Sequence, residues 1–160
     1  MPFRKILVPY DGSKLSDKSL NQAIELATVA RESKVILLQV MEEIPIPPTF
    51  SNQNFHSYKT GGKVSKTQFF KEINKDKELD LIEHLNKIKT RYVKKSTPIT
   101  VRVLVGNPAD NIIKFAEQED VDLIVIGSAE EKGISGFIKG LGSVSRKVSE
   151  GVACPVLIMR

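Results

Sequence analysis

Lys5-Ile6-Leu7-Val8-Pro9-Tyr10-Asp11-Gly12-Ser13, read together with Lys34-Val35-Ile36-Leu37-Leu38-Gln39-Val40, decides the fold. The first stretch is a short, β-branched apolar run that ends at a proline and passes into an Asp-Gly-Ser turn, the pattern of a strand followed by a loop. The second is a nearly continuous apolar run, which a strand shows when both of its faces are covered. Between them, from about Ser16 to Ser33, Leu20, Ala23, Ile24, Ala27 and Ala30 recur at helical spacing behind a serine that can serve as N-cap. The unit is therefore strand, amphipathic helix, strand.

Working outward, the segment from Met41 to about Val64 contains Pro45, Pro47, Pro48, Gly61 and Gly62, and no helical or alternating period survives across it. A long surface loop is expected there, at about 41–64. From Ser65 to about Lys95 the apolar positions Phe69, Phe70, Ile73, Leu81, Ile82, Leu85, Ile88 and Tyr92 predict one long helix packed on the surface of the core. Ile99 to Val105 alternates as a strand. Gly106-Asn107-Pro108 turns, and Pro108 to Glu119 buries Ile112, Ile113 and Ala116 as a helix. Leu123-Ile124-Val125-Ile126 is a fourth strand, a glycine-rich stretch runs from Gly127 to Gly142, Ser143 to Glu150 forms a short helix, and Pro155 to Met159 is a fifth strand.

Strands alternating with helices imply an α/β fold: a doubly wound, mostly parallel five-stranded sheet with helices on both faces, because parallel neighbours need right-handed crossovers. At 160 residues the chain is expected to be a single domain, 1–160. In such sheets ligands bind beyond the carboxyl ends of the strands, where the strand order reverses. The loops expected to meet a ligand are therefore those after Pro9, Val40 and Ile126.

Composition narrows the chemistry. Hydrophobic residues make up 41% and charged residues 27%, which is ordinary globular usage and argues against a disordered or repetitive chain. One cysteine, Cys154, permits no intrachain disulfide and no cysteine-based zinc cluster, and His56 and His84 do not complete one, so a reducing cytoplasmic setting is expected. No apolar run reaches the roughly 20 residues that span a bilayer, and the first residues lack a cleavable apolar core, so no membrane partner is expected. The net charge is +5, but the lysines between Lys59 and Lys95 are interleaved with acids and carry no aromatic stripe, so they read as a solvated face and no nucleic-acid partner is expected. No phosphate-loop lysine motif and no paired metal-ligand motif occurs, and Cys154 lies beside a strand rather than a base. No catalytic residue and no metal ligand is assigned.

Three features meet at the strand ends. Asp11, directly after the first strand, can accept hydrogen bonds from ribose hydroxyls or, in an Asx turn, from loop amides. Val40 ends the second strand with a backbone N–H and C=O that match an adenine edge, although read alone it is a core residue. Gly127 to Ser145 places five glycines and a run of serines between a strand and a helix, and the free N–H groups and positive dipole end of that helix favour a phosphate. The competing reading of the same stretch is a flexible loop capped by serine.

ILVPYDGS at the first strand, VILLQV at the second, GNPADNII before the third helix, and VDLIVIGS, GLGSVSRKV and CPVLIM toward the end resemble the universal stress protein family over almost the whole chain. The resemblance implies a Rossmann-like fold of the adenine nucleotide alpha-hydrolase type, and a homodimer. Within the family's nucleotide-binding group it implies Pro9, Tyr10 and Asp11 at the nucleoside, Val40 at adenine, and Ile126, Gly127 and Ser128 where the phosphate loop starts. It further implies that Gly142, Ser143, Val144 and Ser145 close that loop. The group's G-x2-G-x9-G-[ST] pattern is not met in full. Glu130 stands where the middle glycine is expected, 14 residues separate Gly127 from Gly142 against 12 in the pattern, and Gly133 is the best substitute. A carboxylate pair, Glu130 and Glu131, near a triphosphate would repel it unless magnesium bound with the nucleotide or Lys132 intervenes, so AMP or ADP fits as well as ATP.

The function expected is a dimeric adenine-nucleotide-binding sensor or regulatory protein of the stress response, with at most slow ATP hydrolysis. The alternative is an interaction or scaffold protein of the same fold that has lost phosphate binding. The dimer is expected to form through the C-terminal strand, Pro155 to Met159, which would otherwise be a bare sheet edge.

Overall fold

The computed structural model describes residues 3–30, 32–50, 54–92, 97–128, 131–132, 139–140 and 142–160. The elements follow in the order β1 (Lys5–Pro9), α1 (Lys14–Val29), β2 (Lys34–Met41), β3 (Phe55–His56), β4 (Lys63–Val64), α2 (Lys66–Thr90), β5 (Ile99–Val105), α3 (Pro108–Gln118), β6 (Leu123–Gly127), β7 (Glu131–Lys132), β8 (Lys139–Gly140), α4 (Ser143–Gly151) and β9 (Val156–Met159). The main sheet has five parallel strands in the order β5-β2-β1-β6-β9. The chain winds from β1 through β2 to one edge, then returns to β6 on the other side of β1. That reversal makes the carboxyl ends of β1 and β6 the crevice of the fold.

Each face of the sheet has its own apolar cluster. On one face Ile6, Val8, Tyr10, Val35 and Leu37 pack with Leu20 and Ile24 of α1 and Leu85 and Ile88 of α2. On the other, Leu7, Ile36, Leu38, Ile124 and Ile126 pack with Ala109, Ile112 and Phe115 of α3 and Val148 of α4. Ile6, Leu7 and Val8 thus go to alternate faces and none of the three is free to be polar, which is why the middle of the strand reads as an apolar run. Among the described residues no helix is long and apolar enough to cross a membrane.

The helix expected from Ser16 begins instead at Lys14, because the capping serine is Ser13, whose side chain accepts the Ser16 N–H at 3.1 Å. Ser16 is buried in the first turn, its hydroxyl donating to the Ser13 carbonyl. The helix also stops at Val29 rather than Ser33, and Ser33 is a buried residue whose hydroxyl donates to the Phe3 carbonyl. The expected loop at 41–64 is not structureless. Pro48–Phe50 forms a 3-10 turn, and β3 and β4 pair antiparallel, Phe55 opposite Val64. The ring of Phe55 packs on Phe69 of α2 with centroids 5.1 Å apart, a contact between segments that no local periodicity reveals. The helix expected over 65–95 ends at Thr90. The strand expected from Pro155 begins at Val156, and the glycine-rich stretch contains a short antiparallel pairing of β7 with β8.

Candidate functional site

The carboxyl ends of β1, β2 and β6 and the amino ends of α1, α3 and α4 enclose a cavity of about 390 Å³, a size suited to a small molecule. Pro9, Leu38, Ile112 and Ile126 form its apolar part, Asp11 and Ser13 stand on one side, and Gly142, Ser143, Val144 and Ser145 stand on another. Three segments far apart in sequence therefore converge, as the strand-end rule requires.

Asp11 sits in the turn between β1 and α1, made possible by Gly12 at φ +82°. Its Oδ1 accepts the Ser13 N–H at 2.9 Å, so the Asx turn exists and the residue still lines the cavity. Partial burial works against ionisation of Asp11, but hydrogen bonds from the Ser13 hydroxyl and backbone N–H outweigh it and hold the carboxyl below its ordinary range. A fixed negative acceptor results. Tyr10 behaves differently: its ring belongs to the core on the α1–α2 face, and its hydroxyl donates to Asp17 at 2.6 Å. Burial, then that hydrogen bond, pushes the phenol well above its usual range. Its side chain is thus committed to the core, although the residue also lines the cavity.

Val40 lines the cavity near the end of β2. The Leu38 carbonyl accepts the Tyr10 N–H at 2.8 Å and so faces β1, whereas the Met41 carbonyl accepts the Gly106 N–H at 2.9 Å and so faces β5. In a parallel ladder these directions alternate, so Val40 turns both its N–H and its C=O toward the β1 side, beyond Pro9 where β1 has ended. A donor and an acceptor are left side by side at the crevice.

The third wall is the amino end of α4. α1 is capped by Ser13, and α3 by Asn107, whose side chain accepts the Asp110 N–H at 3.1 Å. α4 has Gly142 at the N-cap and no side-chain cap hydrogen bond, so the first-turn amides of Ser143, Val144 and Ser145 have no intrahelical acceptor. Gly127 is required for packing rather than for an unusual φ: a Cβ there would meet the Leu15 Cβ at 2.8 Å and its carbonyl carbon at 3.1 Å. Ser128 and Ser145 are both buried and hydrogen-bonded to each other. Glu130 and Gly133 lie outside the described residues, as does the side chain of Glu131. Among the described residues no group of three or more His, Cys, Asp or Glu side chains is placed to hold a metal ion.

Ser13, Leu15, Leu38, Pro108 and Ile112 also line the cavity and were not singled out from the sequence. The signals were present for two of them: Leu38 shares a strand face with Val40, and Pro108 opens a helix after a turn. Ile112 enters only because α3 folds back over the sheet.

The family model described as the universal stress protein family matches residues 2–160. A relative from Bacillus subtilis, universal stress protein YxiE, is 34% identical over 159 residues, 99% of each chain. Among solved structures, that of MJ0577, a Methanocaldococcus jannaschii universal stress protein, is similar with a TM-score of 0.75 and 26% identity, covering 99% of this chain and 96% of that one. A universal stress protein family protein from Arabidopsis thaliana, solved with AMP bound, has a TM-score of 0.58 at 17% identity over 98% of this chain and 90% of that one.

Proposed function

Because the chain belongs to the universal stress protein family, we propose that it binds an adenine nucleotide in this cavity and acts as a dimeric sensor whose occupancy alters its partner contacts. The observation that carries the reading is the uncapped amino end of α4 facing the same cavity as Asp11 and the unpaired backbone of Val40. In this reading the Val40 C=O accepts from the adenine amino group and its N–H donates to the neighbouring ring nitrogen. The Asp11 carboxylate accepts from a ribose hydroxyl, and the amides of Ser143, Val144 and Ser145 receive a phosphate. The AMP bound in the Arabidopsis relative supports this choice of ligand.

The dimer is proposed through β9, which pairs with β6 on one side only, stands at the edge of the sheet and exposes Leu157. The competing reading, a scaffold that binds no nucleotide, predicts silence toward every adenine nucleotide.

Thermal melting with millimolar AMP, ADP and ATP tests the two. At a free ligand concentration 100 times Kd, one-site binding stabilises by about 2.7 kcal/mol, and a melting temperature unmoved by all three nucleotides favours the scaffold. Light scattering on the unaltered protein at about 100 μM, far above a micromolar Kd, should return a dimer mass, and a monomer mass rejects the β9 interface.

A further inference from the structure

We infer that Ser128 and Ser145 are positioning residues that lock the amide cradle of α4 onto the end of β6 through a closed ring of hydrogen bonds. Both serines are 2% exposed. Ser128 is seated on the sheet by its own N–H, which donates to the Met159 carbonyl at 2.9 Å. Its Oγ accepts the Gly142 N–H at 3.0 Å and lies 3.1 Å from the Ser145 Oγ, which in turn lies 3.0 Å from the Gly142 carbonyl. A hydroxyl carries one hydrogen. The Gly142 N–H donates to the Ser128 Oγ, and the Ser145 hydroxyl is placed to donate to both the Ser128 Oγ and the Gly142 carbonyl, so its single hydrogen is shared between those two acceptors and closes the ring.

The ring has two consequences for the nucleotide reading, on which this inference rests. First, it joins residues 14 positions apart directly, through the Gly142 N–H and the Ser128 Oγ. The cradle therefore takes its geometry from the sheet, and a segment two residues longer than the family pattern does not have to displace it. Second, the Gly142 amide and the Ser145 hydroxyl are already engaged with groups of the chain, so among the described donors at the start of α4 the backbone amides of Ser143, Val144 and Ser145, with the Ser143 hydroxyl beside them, remain to meet a phosphate. The serines act on the ligand through the orientation of those amides.

Calorimetric titration of the unaltered protein, Ser128→Ala and Ser145→Ala with AMP and with adenosine tests this, with circular dichroism to verify folding. AMP affinity should fall about tenfold in each variant, the effect of breaking a buried hydrogen-bond ring, while adenosine affinity changes less than about twofold, since it lacks the group that the cradle receives. Ser145→Ala leaves the Gly142 N–H bonded to Ser128 and carries the test should Ser128→Ala not fold. Equal losses for AMP and adenosine would make the ring a general fold element and overturn the inference. Unchanged AMP affinity in folded variants would overturn it too, and tighter AMP binding would show that the Gly142 amide is itself a ligand donor held back by the ring. An unaltered protein that binds neither compound defeats the nucleotide reading and this inference with it, whereas one that binds AMP with indifferent variants defeats the inference alone.

Discussion

The amino ends of α1 and α4 face one cavity, and they differ in who satisfies their free amides. At α1 the chain does it: Ser13 caps the helix, and Asp11 accepts the Ser13 N–H. At α4 Gly142 has no side chain to offer, and among the described residues the amide answered there is that of Gly142 itself, through Ser128. A helix end satisfied internally has little left for a ligand, while one left open keeps the partial positive charge of its first turn for an anion. The two helix ends thus differ in what they can offer a ligand: a fixed carboxylate acceptor before α1, and backbone donors at α4.

That contrast breaks most sharply if α4 is given the cap that α1 has. Gly142 has φ −58° and ψ 153°, open to any residue, so Gly142→Asp should fold normally and gain about a few tenths of a kcal/mol from capping. Its carboxylate would occupy the first-turn amides and repel phosphate, so AMP affinity should fall about a hundredfold. Calorimetry and melting on the same sample should show affinity and stability moving in opposite directions. Parallel movement would mean that the α4 amides are not the anion site.

The next effect lies at Gly127, where the end of β6 packs against the first turn of α1. In Gly127→Ala the new Cβ meets Leu15 backbone as well as side chain, and relieving the overlap should cost about 2 kcal/mol in chemical denaturation. A loss below about 0.5 kcal/mol would show that α1 gives way freely.

Asp11→Asn keeps the shape of the turn and removes the charge proposed to accept from a ribose hydroxyl. AMP and adenosine should weaken alike, by about tenfold, unlike the selective loss at α4. The pH dependence follows from the depressed pKa of Asp11. The carboxylate contributes fully above its unfolded pKa of about 3.9, and the contribution is lost as pH falls through the lower folded value. Between pH 5 and 8 nucleotide affinity should therefore show no step from this group, and a step in that range that disappears in Asp11→Asn would contradict the assignment. The smallest effect is expected for Ser13→Ala, which removes the α1 cap and should cost about 1 kcal/mol of stability, read by denaturant midpoint.

Much of the fold was legible because its signals are local and periodic. Ile6, Leu7 and Val8 read as a strand buried on both faces because alternate side chains enter different cores, and the stripe at Leu20, Ala23, Ile24 and Ala27 read as a helix for the same reason. The errors fell where one particular hydrogen bond, or a contact distant in sequence, decides. Ser13 and Ser16 are equally good caps by residue type, and only the Ser13–Ser16 hydrogen bond selects the former. The hairpin of β3 and β4 depends on Phe55 finding Phe69 across the chain.

For the site, the residue types at the strand ends were determined by the sequence: a carboxylate after β1, an apolar residue with available backbone near the end of β2, and glycine followed by serines at α4. What those groups do was decided by the tertiary structure. The ring of Tyr10 went to the opposite core, the hydroxyls of Ser128 and Ser145 were turned inward on each other, and the backbone of Val40 was left unpaired because its neighbouring strand had ended. Hydrogen-bonding capacity is a property of the residue, but its availability depends on which partners the fold brings within about 3 Å, and a one-dimensional pattern does not contain that distance.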